Sequence, residues 1–133
     1  GAGGGVGYTP EELSQVAGYP VGTQEEILRA MRHILAQGVE IVAVSCGSDG
    51  SYVMRGAQLY RVLPLSVNVV NTIGCGDAYL AGLVYGLEKK LELPAVLRLA
   101  AAVSAAAAES DSTVGFDLKR AQELEGRVEI LKL

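Results

Sequence analysis

The segment Gly74-Cys75-Gly76-Asp77-Ala78 combines residue types that suit chemistry on a phosphate group. Its two glycines let the backbone approach a ligand, and the free amides at the start of the following helix stabilise an anion. A carboxylate repels bound phosphate, so Asp77 makes chemical sense here if it accepts a proton beside a transferring phosphoryl group. The alternative interpretation is that Asp77 only caps the helix and the glycines only permit a turn.

Two more glycine-bearing loops accompany this segment. One loop runs from Gly47 to Gly50 after an apolar strand, and the other runs from Ser110 to Gly115 after a helix. Ligands of α/β sheets collect at the carboxyl ends of parallel strands, so we expect the three loops to line one site. The alternative for Asp49-Gly50 is a simple turn.

The residues around Asp77 resemble a signature of the PfkB, or ribokinase-like, carbohydrate kinases. The family pattern Asp/Asn-Thr-x-Gly-Ala-Gly-Asp-x-x-x-Ala-Gly is similar to the run Asn71-Thr72-Ile73-Gly74-Cys75-Gly76-Asp77-Ala78-Tyr79-Leu80-Ala81-Gly82. By this resemblance, Asp77 is the base that takes the proton from a sugar hydroxyl. The backbone amides implied to form the anion hole for the transferring phosphate are those of Gly74, Cys75, Gly76 and Asp77.

The same resemblance implies ATP and Mg²⁺ as cofactors and a sugar or sugar phosphate as the acceptor. The loop after the apolar strand looks like the family loop that contacts nucleotide phosphates and ribose, and the alanine-rich helix looks like the adenine side of the site. The residues implied to contact ATP are Ser45, Gly47, Ser48, Asp49, Gly50, Gly76, Ser104 and Ala107.

Three departures from the family pattern limit this carry-over. Only Glu12 is retained from an Asn-x-x-Glu element linked to magnesium and phosphate, because Thr9 replaces the Asn, so Glu12 is expected to act on the metal indirectly. Cys75 replaces the usual Ala or Ser, and we expect an inert thiol since only its backbone amide is needed. Family members are much longer, so the chain resembles their C-terminal part, and its partner would be a missing N-terminal half with most sugar contacts.

Asn71 in place of Asp, together with the Gly74-Cys75-Gly76 form, favours the phosphofructokinase or tagatose-6-phosphate kinase branch of the family. Two functions stay open. In the first, the chain supplies the nucleotide site, anion hole and base of an ATP-dependent kinase, with homodimer formation by the full-length protein left open. In the second, it is a catalytically silent nucleotide-binding fragment or an α/β scaffold. The presence of Glu12, Asp77 and the glycines favours the first.

The elements that would position these residues follow from caps and apolar periodicity. Thr9 and Thr23 each precede a Glu at capping-box spacing, which predicts helices from Pro10 to about Ala17 and from Thr23 to Gly38. The remaining predictions are a buried strand at 39–45, a hairpin within 51–63, an extended segment at 67–70 that acts as a strand before the glycine turn, helices at 78–89 and 94–109, a short helix capped by Asp117, and an edge strand at 128–131.

These elements predict the α/β class. The resemblance specifies the C-terminal half of a three-layer ribokinase-like fold, with a mainly parallel sheet, a β-hairpin and helices on both faces. Residues 1–8 are expected to be a linker or cloning remnant because five of them are glycine. Residues 9–133 are expected to form the ATP-binding part of the kinase domain.

Composition excludes several other classes of protein. The 11 Lys and Arg residues are scattered and the net charge is −4, which argues against nucleic acid as a partner. The apolar run from Leu99 to Ala108 is about half the ~20 residues that a membrane span needs, so no membrane partner is expected. One His and two Cys without CxxC spacing argue against a zinc site or a His-dependent triad, and favour a reducing cytoplasm.

Overall fold

A computed structural model describes residues 5–46, 49–70, 75–110 and 118–133, without the side chains of residues 75 and 76. Within these ranges five strands form one mixed sheet, in the order β1-β2-β3-β4-β5. The elements along the chain are β1 (Gly5–Tyr8), α1 (Pro10–Ala17), α2 (Gln24–Ala36), β2 (Ile41–Ser45), β3 (Ser51–Arg55), β4 (Gln58–Val62), α3 (Cys75–Glu88), α4 (Leu93–Glu109), α5 (Leu118–Glu125) and β5 (Ile130–Lys132). This composition of elements confirms the predicted α/β class.

The chain divides into two compact units. The first consists of Gly1–Arg61 with Leu131–Leu133, and the second is Val62–Ile130. The first unit holds α1, α2 and most of the sheet, and the second holds α3, α4 and α5.

Strand β1 corrects one expectation. Residues Gly5–Tyr8 were expected to belong to a linker, but they pair in parallel with β2, with Gly5 opposite Ile41 and Tyr8 opposite Val44. A Cβ atom at Gly5 would lie 2.7 Å from Cγ2 of Ile41, so the glycine leaves room for the isoleucine side chain. Glycine has a low strand propensity, which is why the sequence alone pointed away from a strand here.

The first unit is built on the helix caps that the sequence predicts. Thr23 Oγ1 accepts a hydrogen bond from Glu26 N at 3.2 Å, and the Glu26 carboxylate accepts from the Gly22 and Thr23 amides. These backbone hydrogen bonds hold the pKa of Glu26 below its ordinary value. Helix α1 ends at Gly18, whose φ of 81° requires the left-handed conformation that glycine adopts freely.

The core of the first unit lies between these helices and the sheet. Strand β2 is buried over its first four residues, as its unbroken apolar run predicts. The fully or nearly fully buried members of this core are Leu13, Val21, Ile27, Ala30, Met31, Ile34, Val42, Val44, Tyr52 and Met54. The helices therefore reach the sheet through one continuous apolar cluster.

The predicted hairpin is confirmed. Strand β3 runs antiparallel to β2, with Ser51 opposite Ser45, and β4 follows after Gly56 and Ala57. Gly56 has a φ of 57°, which suits a two-residue hairpin turn. Strand β5 closes the sheet beside β4 as the predicted edge strand, although it spans Ile130–Lys132 rather than 128–131.

The second unit is dominated by close packing between α3 and α4. A Cβ atom at Gly82 would lie 2.7 Å from the Ala100 Cα, and one at Gly86 would lie 3.0 Å from the Val96 side chain. Small residues on both helices therefore allow a backbone approach that larger side chains would prevent. The sequence predicted such close packing from the many alanines of α4.

Two local expectations in the second unit differ from the structure. Helix α3 begins at Cys75 rather than Ala78, so it takes in part of the glycine motif. Residues 63–70 form no strand; the Val70 amide instead donates a hydrogen bond to the Ala108 carbonyl at 2.8 Å. A carbonyl in the last turn of a helix lacks an intrahelical donor, and this one is satisfied by the extended segment. Asp117, the expected cap of α5, lies outside the described residues.

An ion pair joins α4 to α5. Arg120 donates from Nε and Nη2 to the two carboxylate oxygens of Glu109, at 2.8 and 2.7 Å. This two-point hydrogen bonding lowers the pKa of Glu109 below its ordinary value. The pair holds together the two helix ends that flank residues 111–117.

No helix in the described parts of the chain is long and apolar enough to cross a membrane.

Replacing Gly82 by alanine should destabilise the 133-residue chain. Alanine gains about 1 kcal/mol over glycine in helix propensity. The added Cβ, however, would have to displace the backbone of Ala100, and overpacking of this kind costs about 1–3 kcal/mol. Urea unfolding measures the difference. Gly126→Ala is the control, because its Cβ would meet only the Glu123 carbonyl at 3.7 Å. A Gly82→Ala variant more stable than the parent would contradict the packing.

The Glu109–Arg120 pair should give a pH-dependent contribution to stability. Because the pKa of Glu109 is lower when folded, the contribution is complete above the ordinary value of 4.5 and is lost as pH falls through the folded value. Thermal unfolding between pH 7 and pH 3 should therefore show the deficit of Arg120→Gln shrinking with acidity. The control Arg98→Gln removes an exposed charge from α4. If both variants showed the same pH dependence, the pair would contribute nothing specific.

Candidate active site

Asp77 is the third residue of α3, inside its first turn, and its side chain is exposed. The first amides of an α-helix have no intrahelical partner, and this end of the helix carries partial positive charge. An accessible carboxylate therefore stands beside backbone groups that favour an anion. Asp77 is the third helical residue and not the N-cap, but an acidic side chain at the third position can also accept from the backbone at a helix start, so the capping interpretation stays open.

The packing of α3 on α4 fixes what lies beside this turn. Gly82 of α3 lies against Ala100 of α4. One turn later in α3, Gly86 lies against Val96, which is one turn earlier in α4, so the two helices run antiparallel. One turn towards the start of α3 leads from Gly82 to Ala78, and the matching turn of α4 leads from Ala100 to Ser104. Ser104 therefore lies level with the first turn of α3. Ala107 lies three residues beyond Ser104 at the same end of the pair. Both residues are half-buried.

The backbone that leads into the glycine motif is hydrogen-bonded to α4 at this same end of the helix pair. The hydrogen bond from Val70 to Ala108 places the residue before the motif on the last turn of α4. The second unit therefore brings Gly76, Asp77, Ser104 and Ala107 to one end of one helix pair. Gly74 and residues 111–115 belong to the predicted site but lie outside the described residues.

A shallow depression of about 440 Å³ runs along α3 from Asp77. It is lined by Asp77, Leu80, Ala81, Val84, Tyr85 and Glu88. A larger depression of about 800 Å³ lies in the first unit, between the end of α2 and the β3–β4 hairpin, and none of the predicted site residues lines it. The Asp77 carboxylate therefore lines the smaller of these two depressions.

Backbone hydrogen bonds join the described ends of the predicted nucleotide loop, which follows β2. The Cys46 amide donates to the Gly50 carbonyl at 2.7 Å, and the Asp49 amide donates to the Cys46 carbonyl at 3.1 Å. Gly50 has a φ of 87°, which explains the glycine, and Asp49 is exposed. Ser45 ends β2, while Gly47 and Ser48 lie outside the described residues. That this loop and the Asp77 region line one site stays a prediction.

Glu12 has a structural role in the first unit. Its carboxylate accepts a hydrogen bond from the Thr9 amide at 2.9 Å, which completes the capping box of α1. The described residues contain no group of three or more His, Cys, Asp or Glu side chains that could hold a metal ion. The indirect magnesium role of Glu12 stays a prediction, since the same Thr-x-x-Glu spacing is explained by the cap.

Sequence reasoning gave no role to Cys46, which follows β2. Burial raises the pKa of its thiol, and the nearby Asp49 carboxylate raises it further. A thiol with a raised pKa holds its proton at neutral pH and is a poor nucleophile. Cys46 is therefore a packing residue beside the predicted nucleotide loop.

Comparison with known proteins agrees with these observations. Residues 8–119 match the pfkB family carbohydrate kinases. The chain is 41% identical over 105 residues to the 1-phosphofructokinase of Haemophilus influenzae, covering 78% of this chain and 33% of the relative. It is 36% identical over 105 residues to the 1-phosphofructokinase of Escherichia coli, covering 79% and 33%.

Solved structures share the fold. Phosphofructokinase-2 from Escherichia coli, in complex with substrates and products, superposes with a TM-score of 0.86 at 22% identity, covering 92% of this chain and 40% of that protein. The ribokinase of Arabidopsis thaliana complexed with ribose and ATP gives a TM-score of 0.82 at 26% identity, covering 91% and 40%.

The chain spans about a third of the length of the curated relatives it matches. The match at residues 8–119 nevertheless takes in most of the chain, from α1 to the start of α5, and includes Asp77 and the whole glycine motif. This protein belongs to the pfkB family of carbohydrate kinases.

Proposed function

We propose that this chain supplies the nucleotide site, the anion hole and the catalytic base of an enzyme that transfers a phosphoryl group from ATP to a sugar phosphate. The observation that carries the proposal is the exposed Asp77 carboxylate in the first turn of α3, at the end of the helix pair that also holds Ser104 and Ala107. The 1-phosphofructokinase relatives support the phosphofructokinase branch as the acceptor class.

The proposed reaction uses two properties of the α3 N-terminus. As the acceptor hydroxyl oxygen bonds to the γ-phosphorus of ATP, its proton passes to Asp77, and the bond from phosphorus to the leaving oxygen of ADP breaks. The amides of Gly74, Cys75, Gly76 and Asp77 donate to the negative charge on the transferring group. A helix start suits this task because its amides are already oriented and the dipole favours the anion.

A magnesium ion that arrived with the nucleotide would need no metal-binding cluster in this chain. Mg²⁺ keeps several waters and takes oxygen ligands from phosphates with only one or two carboxylates, so it needs no dedicated protein cage. Such an ion would supply charge neutralisation on the ATP phosphates. Glu12 is proposed to act only indirectly, because its carboxylate already accepts from the Thr9 amide.

On the nucleotide, we propose that Ser45, Asp49 and Gly50, with Gly47 and Ser48, hold the phosphates and ribose. The two hydrogen bonds that join Cys46 to Asp49 and Gly50 support this, since they hold the described ends of the loop together. Ser104 and Ala107 are proposed to lie on the adenine side. A silent nucleotide-binding fragment remains the second candidate, because the chain covers only 33% of the 1-phosphofructokinase relatives.

In the full-length enzyme, Asp77→Asn should lower kcat by about 10²–10⁴-fold, the usual contribution of a general base. The affinity for ATP should change little, because proton acceptance matters in the transition state and not in nucleotide binding. Coupled detection of ADP gives kcat, and isothermal titration gives the ATP affinity. The control is Glu92→Gln, which neutralises an exposed carboxylate beyond the other end of α3. Turnover near the parent value in Asp77→Asn would rule out the base assignment.

The 133-residue chain alone should bind ATP weakly and phosphorylate no sugar. The acceptor would not be held against Asp77, and loss of such positioning can cost about 7–11 kcal/mol of the barrier. Isothermal titration with ATP and magnesium, and an ADP assay with a panel of hexose phosphates, test the two parts separately. Robust turnover would show that the chain is sufficient for catalysis, whereas absence of ATP binding would favour the scaffold interpretation.

A further inference from the structure

The larger depression of the first unit lies at the opposite end of β2 from the predicted nucleotide loop. Val39 and Glu40, which precede β2, line this depression, whereas Ser45 ends the strand and Cys46 follows it. A strand rises about 3.3 Å per residue, so the length of β2 separates the two regions by roughly 16 Å. The depression, of about 800 Å³, shares no residue with the proposed nucleotide loop.

Small residues open this depression, and leucines form part of its floor. Ala36 ends α2, and Gly56 and Ala57 form the hairpin turn, so little side chain fills the space between the helix end and the turn. The Leu133 amide donates a hydrogen bond to the Leu59 carbonyl at 2.9 Å, which places two leucines of the lining side by side. Leu133 is 52% exposed, so apolar surface is left for a ligand to cover.

Two arginines line the depression from different elements. Arg32 lies on α2 between Leu28 and Leu35, at the spacing that places all three residues on one side of the helix. Both leucines pack against the core of the first unit, so this side faces the sheet. Arg55 is the last residue of β3 and lines the same depression. Only the folded chain brings these two cationic side chains to one place.

The charges of these arginines are not balanced by ion pairs. Among the residues that the structure describes, both ion pairs involve Arg120 in the second unit, and neither includes Arg32 or Arg55. Glu40 is the acidic residue of the lining, so two guanidinium groups and one carboxylate leave an excess of one positive charge. An apolar depression with a few charged groups has the composition of a small-molecule site.

We propose that this depression is a second ligand site that binds a small amphipathic monoanion, a carboxylate on an apolar chain. Arg32 and Arg55 donate hydrogen bonds to the carboxylate, and the apolar chain covers Leu35, Leu59 and Leu133. The excess of one positive charge matches a monoanion, and the planar guanidinium group suits a carboxylate because it can form two parallel hydrogen bonds with it. This binding is independent of the proposed kinase function, since no residue of the proposed active site takes part.

Octanoate is the probe, and the full-length protein is the sample. Isothermal titration compares octanoate with octanol, which has the same chain without the charge, and with acetate, which has the charge without the chain. Octanoate should bind at least about tenfold more tightly than octanol, because hydrogen bonds to an ionised group are the stronger kind. Acetate should show no measurable binding, since it covers little apolar surface. Octanol that bound as tightly as octanoate would overturn the proposal.

Matched arginine variants test the carboxylate contacts. Arg32→Gln and Arg55→Gln should each weaken octanoate binding about tenfold and leave octanol binding unchanged. The control is Arg29→Gln, which removes an exposed arginine from α2 that does not line the depression. The three arginines make no ion pair within the described part of the chain, so each variant should keep the melting temperature of the parent. An equal loss of octanoate binding in Arg29→Gln would show a response to net charge alone and overturn the site.

Methionine methyl groups report where octanoate binds. Met54 lines the depression, whereas Met31 is fully buried in the core of the first unit. In nuclear magnetic resonance spectra with isotope-labelled methionine methyl groups, assigned through Met54→Leu and Met31→Leu, octanoate should shift the Met54 signal and leave the Met31 signal nearly unchanged. A Met54 signal that did not move at saturating octanoate would place the ligand elsewhere and overturn the proposal.

Discussion

The second unit depends on one close contact, the packing of the α3 backbone on α4 at Gly82 and Gly86. A Cβ atom at Gly82 would fall 2.7 Å from the Ala100 Cα, so the distance between the helices is set by the absence of a side chain. Close packing of this kind permits little rotation of α3 about its axis, because a rotation that replaced Gly82 by Leu83 or Ala81 would place a side chain against the Ala100 backbone. The register that results aligns Asp77 with Ser104 and turns Val84 and Tyr85 outward.

The position of Asp77 combines two electrostatic effects. The first turn of α3 favours negative charge, and the same favourable field that accommodates the carboxylate would accommodate a phosphoryl group. In the proposed function, this exposed carboxylate takes up a proton as the reaction proceeds. The proposed base and anion hole would then come from one helix turn, with another part of the protein presenting the acceptor.

In the first unit, hydrogen bonds to the backbone fix the helix starts and the chain after β2. Capping boxes at Thr9 and Thr23 fix where α1 and α2 begin, and two backbone hydrogen bonds join Cys46 to Asp49 and Gly50. The spacing of Thr9 and Glu12 has two interpretations. A Thr followed by Glu at this distance is both a cap and a remnant of a family motif, and the geometry of this chain accounts for the cap.

The sequence by itself determined the features that depend on neighbours along the chain: the caps, the buried run of β2, the hairpin turn at Gly56, and the motif that contains Asp77. It misjudged Gly5–Tyr8 and residues 67–70, because strand formation depends on a pairing partner that propensity does not reveal. Only the tertiary structure decided that Ser104 lies level with the first turn of α3 and that Val84 and Tyr85 are exposed among the described residues. Both depend on which side of one helix meets another, and a helix that is apolar all round has no sequence signal for that choice.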